Sequence, residues 1–339
     1  MSFSTNVSFS TNILPLSLDK YFAQNKIQND FPFGFKLSDK DLILNEDLAT
    51  KNSQQELVVF SHLSLENLLE LQSSCHLNID ALQAINTRNK QTSYRFSVSS
   101  NDFIKSRQAL ADFALAIKVE AALIQNAPKL SEPGLLVMDM DSTTIEIECI
   151  DEIAKLAGVG EQVSAVTELA MQGELDFAQS LHQRVATLKN APETILCDVA
   201  KNIPLMAGLE NLICELKKHN WRIAVASGGF TYFADHLKEI LALDDTFANV
   251  LEIVDGKLTG KVLGNVVDAQ VKADSLQLLA EKYQIPESQT VAMGDGANDL
   301  VMMAAAGFGV AFHAKPIVLA QADSSINQQG LDCLLHWLS

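Results

Sequence analysis

Asp139-Met140-Asp141-Ser142-Thr143 places two carboxylates two residues apart, with two hydroxyls behind them. Carboxylates in that pattern can attack an electrophile, trade a proton or hold a hard cation. The same residues also serve as a loop acid followed by a helix N-cap. Ser227-Gly228-Gly229 joins a hydroxyl to two unshielded backbone N–H groups. That set can cradle an anion, or simply turn a strand into a helix. Lys272 closes Asp268-Ala269-Gln270-Val271-Lys272 ahead of a helical stretch, where a lysine either neutralises an anion or stands solvated on the surface. Gly294-Asp295-Gly296-Ala297-Asn298-Asp299 packs two acids and an amide among glycines. Oxygen donors of this kind suit a hard cation. A tight turn with one N-capping acid does not explain the whole cluster.

Three of these clusters follow continuous apolar runs: Leu135 to Met138, Arg222 to Ala226 and Thr290 to Met293. Helix-like segments separate the runs. Apolar strands alternating with helices predict a parallel sheet covered on both faces, and ligands of such sheets sit beyond the carboxyl ends of the strands. Residues from about 150 to 205 read as mostly helical and interrupt the first strand–helix unit, which predicts an inserted helical cap. Asp255-Gly256 suits a type I′ turn, so Glu252 to Thr259 reads as a hairpin.

Upstream, Leu57 to Phe60 reads as a buried strand, Leu65 to Leu71 as a short helix and Tyr94 to Val98 as a half-exposed strand. Asn101 is expected to cap a helix from Asp102 to about Gln125, with Phe103, Leu110, Phe113, Ala114, Ile117 and Ala121 on one stripe. Ala127 to Gly134 holds two prolines and a glycine and breaks the pattern. The expected fold class is α/β: a Rossmann-like parallel sheet with helices on both faces and an inserted helical cap, plus a smaller N-terminal α+β domain. The expected domains are 1–130 and 131–339. Ser2–Asn6 and Ser8–Asn12 both read Ser-Phe-Ser-Thr-Asn and are expected as a short frayed end.

The order strand-D-x-D-S-T, strand-S-G-G, Lys, strand-G-D-G-x-N-D resembles the haloacid-dehalogenase-like phosphohydrolases. Asp139 to Glu152, Gly173 to Phe177, Arg184 to Lys189, Ser227 to Phe230 and Gly294 to Asp299 resemble the phosphoserine phosphatases within that family. The likeness extends from about Gly134 to Leu335. It implies hydrolysis of O-phospho-L-serine, the last step of serine biosynthesis, with Asp139 as the nucleophile that forms an aspartyl-phosphate. Asp141 then protonates the leaving oxygen and later takes a proton from water. Mg²⁺ is implied on the Asp139 carboxylate, the Asp141 carbonyl and the Asp295 carboxylate, with Asp299 behind it. Ser227, Gly228 and Lys272 are implied to hold phosphoryl oxygens, with Asn298 close by. Glu148 is implied to take the substrate ammonium and Arg184 its carboxylate. Met171 and Phe177 are expected either as an apolar lid or as plain cap core. Another small phosphomonoester such as phosphothreonine, and an amino-acid-sensing module with a residual phosphatase domain, stay open as alternatives.

Composition narrows the classes further. Of 339 residues, 25 are Lys or Arg and 42 are Asp or Glu, a formal net charge of −17. Nucleic acid and anionic membrane repel such a chain at long range, so neither is an expected partner, and any anion site must carry local positive charge. No apolar run approaches the length of a membrane helix, and the first basic residue is Lys20 with no apolar segment after it, so no leader is expected. Five widely spaced cysteines without C-x-x-C fit reduced thiols in the cytoplasm. Seven histidines form no H-x-H or H-E-x-x-H pattern. The expected partners are phosphoserine, an amino-acid effector at the N-terminal domain, and a second copy of the chain.

Overall fold

The computed structural model describes residues 5–8, 14–24, 32–37, 41–45, 54–60, 62–172 and 174–339. It divides into two compact units, Met1–Ala127 with Asp323–Ser339, and Pro128–Ala322. The C-terminal segment thus belongs by its contacts to the first unit rather than to the second, where the sequence reading put it.

In the first unit an antiparallel sheet runs in the order β1-β3-β2-β5-β6-β4-β7. The strands are β1 (Thr5–Ser8), β2 (Phe33–Leu37), β3 (Asp41–Asn45), β4 (Gln55–Phe60), β5 (Leu77–Arg88), β6 (Gln91–Ser100) and β7 (Ala121–Gln125). Three helices accompany it: α1 (Leu18–Gln24), α2 (Leu65–Ser74) and α3 (Phe103–Ile117). Leu57, Val59, Leu68, Leu71, Phe96 and Leu110 share one core.

Three expectations fail in this unit. The N-terminal repeat is not simply frayed, because Thr5–Ser8 pairs with Leu44–Asp41; residues 1–4 and 9–13 lie outside the described ones. The long helix stops at Ile117, where Lys118 turns left-handed (φ 55°), and Asp102 rather than Asn101 caps its start by accepting from the Lys105 N–H. Ala121 to Gln125 is β7, paired with β4, because a buried apolar run gains more in the sheet than on a helix stripe. Finally, Ser93 to Val98 is buried on both faces. The second face is covered by the C-terminal segment. Arg95 donates to the carbonyls of His336, Trp337 and Leu338, His336 Nδ1 lies 2.8 Å from Ser93 Oγ, and Trp337 packs edge-on against Phe60.

The second unit carries a sheet ordered β11-β10-β9-β8-β12-β13. Its strands are β8 (Leu135–Met138), β9 (Arg222–Phe230), β10 (Asp245–Val254), β11 (Lys257–Leu263), β12 (Thr290–Gly294) and β13 (Phe308–Phe312). All neighbours from β10 to β13 are parallel, and β11 returns antiparallel through Asp255-Gly256, both at positive φ. Leu135, Val137, Ala224, Ala226, Ala292 and Ala311 face α10 (Ala269–Tyr283) and α11 (Leu300–Ala305) in one core. Their alternates Leu136, Met138, Ile223, Val225 and Met293 are equally buried, which is why these strands read as unbroken apolar runs. Between β8 and β9 lie α4 (Cys149–Ala157), α5 (Gly160–Met171), α6 (Phe177–Thr187), α7 (Thr194–Ala200) and α8 (Leu209–Lys218). Asp176 opens α6 with a reciprocal cap with Gln179, which fixes the register that aims Phe177 and Arg184. None of the described helices is long and apolar enough to cross a membrane.

Candidate active site

β8 ends at Met138, so Asp139 and Asp141 stand in the loop beyond it rather than along the strand. Asp139 is anchored by its N–H on the Met293 carbonyl at 2.9 Å and by Thr144, whose hydroxyl donates to its carbonyl. Ser142 adopts a left-handed φ of 57° between the acids and Glu148. A β-substituted residue held there stores strain, and its hydroxyl donates to Glu148 Oε1 at 2.8 Å.

β9 continues through Ser227-Gly228-Gly229 to Phe230, and α9 (Thr231–Leu241) begins after it. The expected strand-to-helix turn at the glycines is therefore extended backbone. A Cβ on Gly228 would meet Phe177 Cζ at 2.5 Å, so glycine is what lets the ring lie against the backbone. Asn249, buried on β10, donates to the Gly228 carbonyl at 2.8 Å and accepts from Val267 N–H at 2.9 Å. It ties the serine-glycine segment to the loop leading into α10.

Lys272 lies within α10 rather than ahead of it, four residues past the Asp268 cap. It is 1 % exposed and donates to Asp139 Oδ1 at 2.7 Å and Asp299 Oδ1 at 2.8 Å. Burial opposes its charge, but the two carboxylates outweigh burial and hold the ammonium above its usual range. Asp299 is fully buried and accepts from Gly296 N–H at 3.0 Å. A Cβ on Gly294 would fall 2.3 Å from its carboxylate, so that glycine admits the acid against the strand end.

One carboxylate oxygen each from Asp139, Asp295 and Asp299 lie within 4.8 Å of one another. An all-oxygen anionic set of that span fits a hard divalent cation. Burial, and then the Asp139 charge, push Asp295 up to about 6 and Asp299 up to about 7, the latter against the opposing pull of Lys272. Asp299, expected only behind the metal, shares the cluster with the other two. Asp141 stands apart: its Oδ1 accepts from Cys149 N–H at 3.2 Å. Burial, then Glu148 and Asp139, raise its carboxyl well above the usual range, which suits a group that must carry a proton.

These residues open on one cavity of about 240 Å³ lined by Asp139, Asp141, Glu148, Phe177, Arg184, Ser227, Gly228, Asp295 and Asn298, among others. Glu148 is pushed up by loss of water, partly offset by Ser142. Arg184 Nε is buried with no hydrogen-bond partner; desolvation lowers its pKa, yet an arginine stays charged. The charges of Glu148, Asp151 and Asp141 oppose that shift. Met171 ends α5, and its side chain lies outside the described residues.

A model of the haloacid dehalogenase-like hydrolases matches residues 134–307. The chain belongs to the haloacid dehalogenase-like hydrolases. Within that family it is 50 % identical over 298 residues to the phosphoserine phosphatase of Haemophilus influenzae, covering 88 % of this chain and 92 % of that one. An unliganded crystal structure of a probable phosphoserine phosphatase from Vibrio cholerae superposes with a TM-score of 0.72 at 46 % identity, covering 85 % and 88 % of the two chains. A substrate-bound phosphoserine phosphatase complex superposes with a TM-score of 0.58 at 42 % identity, covering 61 % of this chain and 99 % of that one. In this hydrolase the resemblance named every cavity residue above, but not Lys315, which also lines it, nor Asn249. Lys315 had a signal: the apolar run Phe308 to Phe312 is a fourth strand ending in polar residues. Asn249 had none, since its partners, Gly228 on β9 and Val267 in the loop before α10, lie 21 and 18 residues away along the chain.

Proposed function

We propose that the chain hydrolyses O-phospho-L-serine to L-serine and phosphate. The observation that carries this reading is the pairing, in one cavity, of Glu148 and of Arg184, whose buried Nε has no hydrogen-bond partner, with the Asp139–Asp141 pair. A zwitterion needs one group of each sign, and the guanidinium offers two parallel donors to a carboxylate.

In this reading Asp139 attacks phosphorus and carries the phosphoryl group, while Asp141 gives its proton to the serine oxygen and later takes one from the attacking water. Lys272 keeps the nucleophile oriented through its Oδ1 contact. Ser227 and the Gly228 N–H hold phosphoryl oxygens, and Asn298 borders them. Phe177 closes the apolar side, excluding water. Asp139, Asp295 and the Asp141 carbonyl, with Asp299 adjoining, hold Mg²⁺, which when bound supplies neutralising charge for a dianionic phosphoryl group.

A phosphate-release screen tests the reading. Phosphoserine is expected to exceed phosphoethanolamine, which has no carboxylate for Arg184, and sugar phosphates, which offer nothing to Glu148. Equal or faster turnover of either refutes it. Phosphothreonine adds one methyl, worth about 1–3 kcal/mol of discrimination.

The same reading places the chain at the serine-forming step of serine biosynthesis, and five free cysteines support a reducing, cytoplasmic setting. An amino-acid effector at the first unit, a separate compact unit with a core of its own, is part of the same reading; absence of heat with serine in calorimetry on the full chain counts against it. A homodimer is checked by sedimentation.

A further inference from the structure

β13 lies parallel beside β12, with Ala311 opposite Gly294, so its carboxyl end opens on the same side as Asp295. The chain then turns at His313, left-handed at φ 44°, whose ring stacks on Phe312 at 4.0 Å between centroids. Lys315 follows with φ −68° and ψ 154°, the extended conformation that a following proline enforces. Its carbonyl accepts from the N–H groups of Val318 and Leu319 at 2.9 and 3.1 Å. The backbone is pinned, while the side chain is exposed and lines the cavity with Asp295, Gly296 and Asn298.

Charge makes this placement informative. The cavity lining holds Asp139, Asp141, Glu148 and Asp295 against two cations, Arg184 and Lys315. Lys272 is already committed to Asp139 and Asp299, and Arg184 is assigned to the substrate carboxylate. Among the described residues no ion pair engages Lys315. A phosphate dianion entering four carboxylates gains from a mobile point charge on its own side.

We propose that Lys315 is a substrate-binding residue on the phosphate side, contacting phosphoryl oxygens of the incoming ester and of the released phosphate. The inference rests on the phosphatase reading of the site. Lys315→Gln and Lys315→Arg are compared with the unaltered chain, in Mg²⁺. The measurements are kcat and KM for phosphoserine, and Ki for inorganic phosphate and for L-serine against an aryl phosphate. The glutamine variant is expected to raise KM and the phosphate Ki about tenfold. Its kcat and serine Ki should stay within about threefold, and arginine should restore the phosphate Ki. A phosphate Ki within twofold of the unaltered value overturns the inference. So does an equal rise in the serine Ki, which would put the lysine at the carboxylate end or in general packing. Failure of the parent chain to favour phosphoserine would instead sink the substrate reading, leaving the phosphate Ki to judge Lys315 alone.

Discussion

Replacing Lys272 by methionine keeps the length of the side chain and removes its charge. Lys272 and Asp299 are essentially inaccessible and Asp139 is 6 % exposed, so two carboxylates lose their shared cation in a place water cannot reach. Breaking a buried ion pair from one side costs about 3–5 kcal/mol, more than the gain from burying an apolar chain. For a unit of this size that corresponds to a melting point lower by roughly 10 °C. In denaturant melts with chelator present, Lys272→Met should therefore unfold well below the parent chain. Adding Asp299→Asn removes one of the stranded charges. The double variant should recover much of the lost stability while activity stays lost, because no ammonium then orients Asp139. The non-additivity identifies the charges rather than the packing as the cause. A single variant within about 1 kcal/mol of the parent, or a double variant less stable than the single, would refute the reasoning.

Asp139→Asn is expected to stay folded and to lower turnover by at least about a thousandfold, measured by phosphate release. Arg184→Ala should cut kcat/KM for phosphoserine by about a hundredfold and for an aryl phosphate far less; equal losses would assign the arginine to the cap. Chelation should silence the enzyme and Mg²⁺ restore it, and full activity in EDTA would remove the metal assignment. The first unit should weaken in acid. Burial, then the Arg88 and Arg95 charges, hold His336 down at about 4, below the free value of about 6.5. Below pH 6.5 the unfolded chain therefore takes up a proton that the folded one refuses. Stability is present above that pH and falls by about 3 kcal/mol as pH drops to 4. Hydrogen exchange over β4 and β6 reads the loss, and His336→Gln should flatten the slope.

The catalytic strands were legible because both of their faces are buried, so they appear as apolar runs with polar residues at the carboxyl ends. Asp139, Ser227 and Asp295 stand within two residues of the ends of those runs, with Asn298 three residues on from Asp295, and local order locates them. Lys272 was harder, since only tertiary folding turns a helix-face lysine into a buried ion pair. Lys315 was missed because β13 carries no acid or glycine pair to mark it. Upstream, one error came from a cover supplied by residues far along the chain. Ser93, Arg95 and Ser97 look solvent-facing by alternation, but Asp323–Ser339 covers them, and the distance along the chain hides that cover. The same lid rewards Ala121 to Gln125 for joining the sheet, where helical periodicity alone continues α3.

The position of that last segment orders events at the ribosome. Arg95, Phe60 and Ser93 wait for partners that are synthesised after the whole of Pro128–Ala322. Until they emerge, the earlier half shows an uncovered sheet face to chaperones. Deleting the tail from the gene should therefore leave a nascent chain whose amino-terminal half remains prone to aggregate.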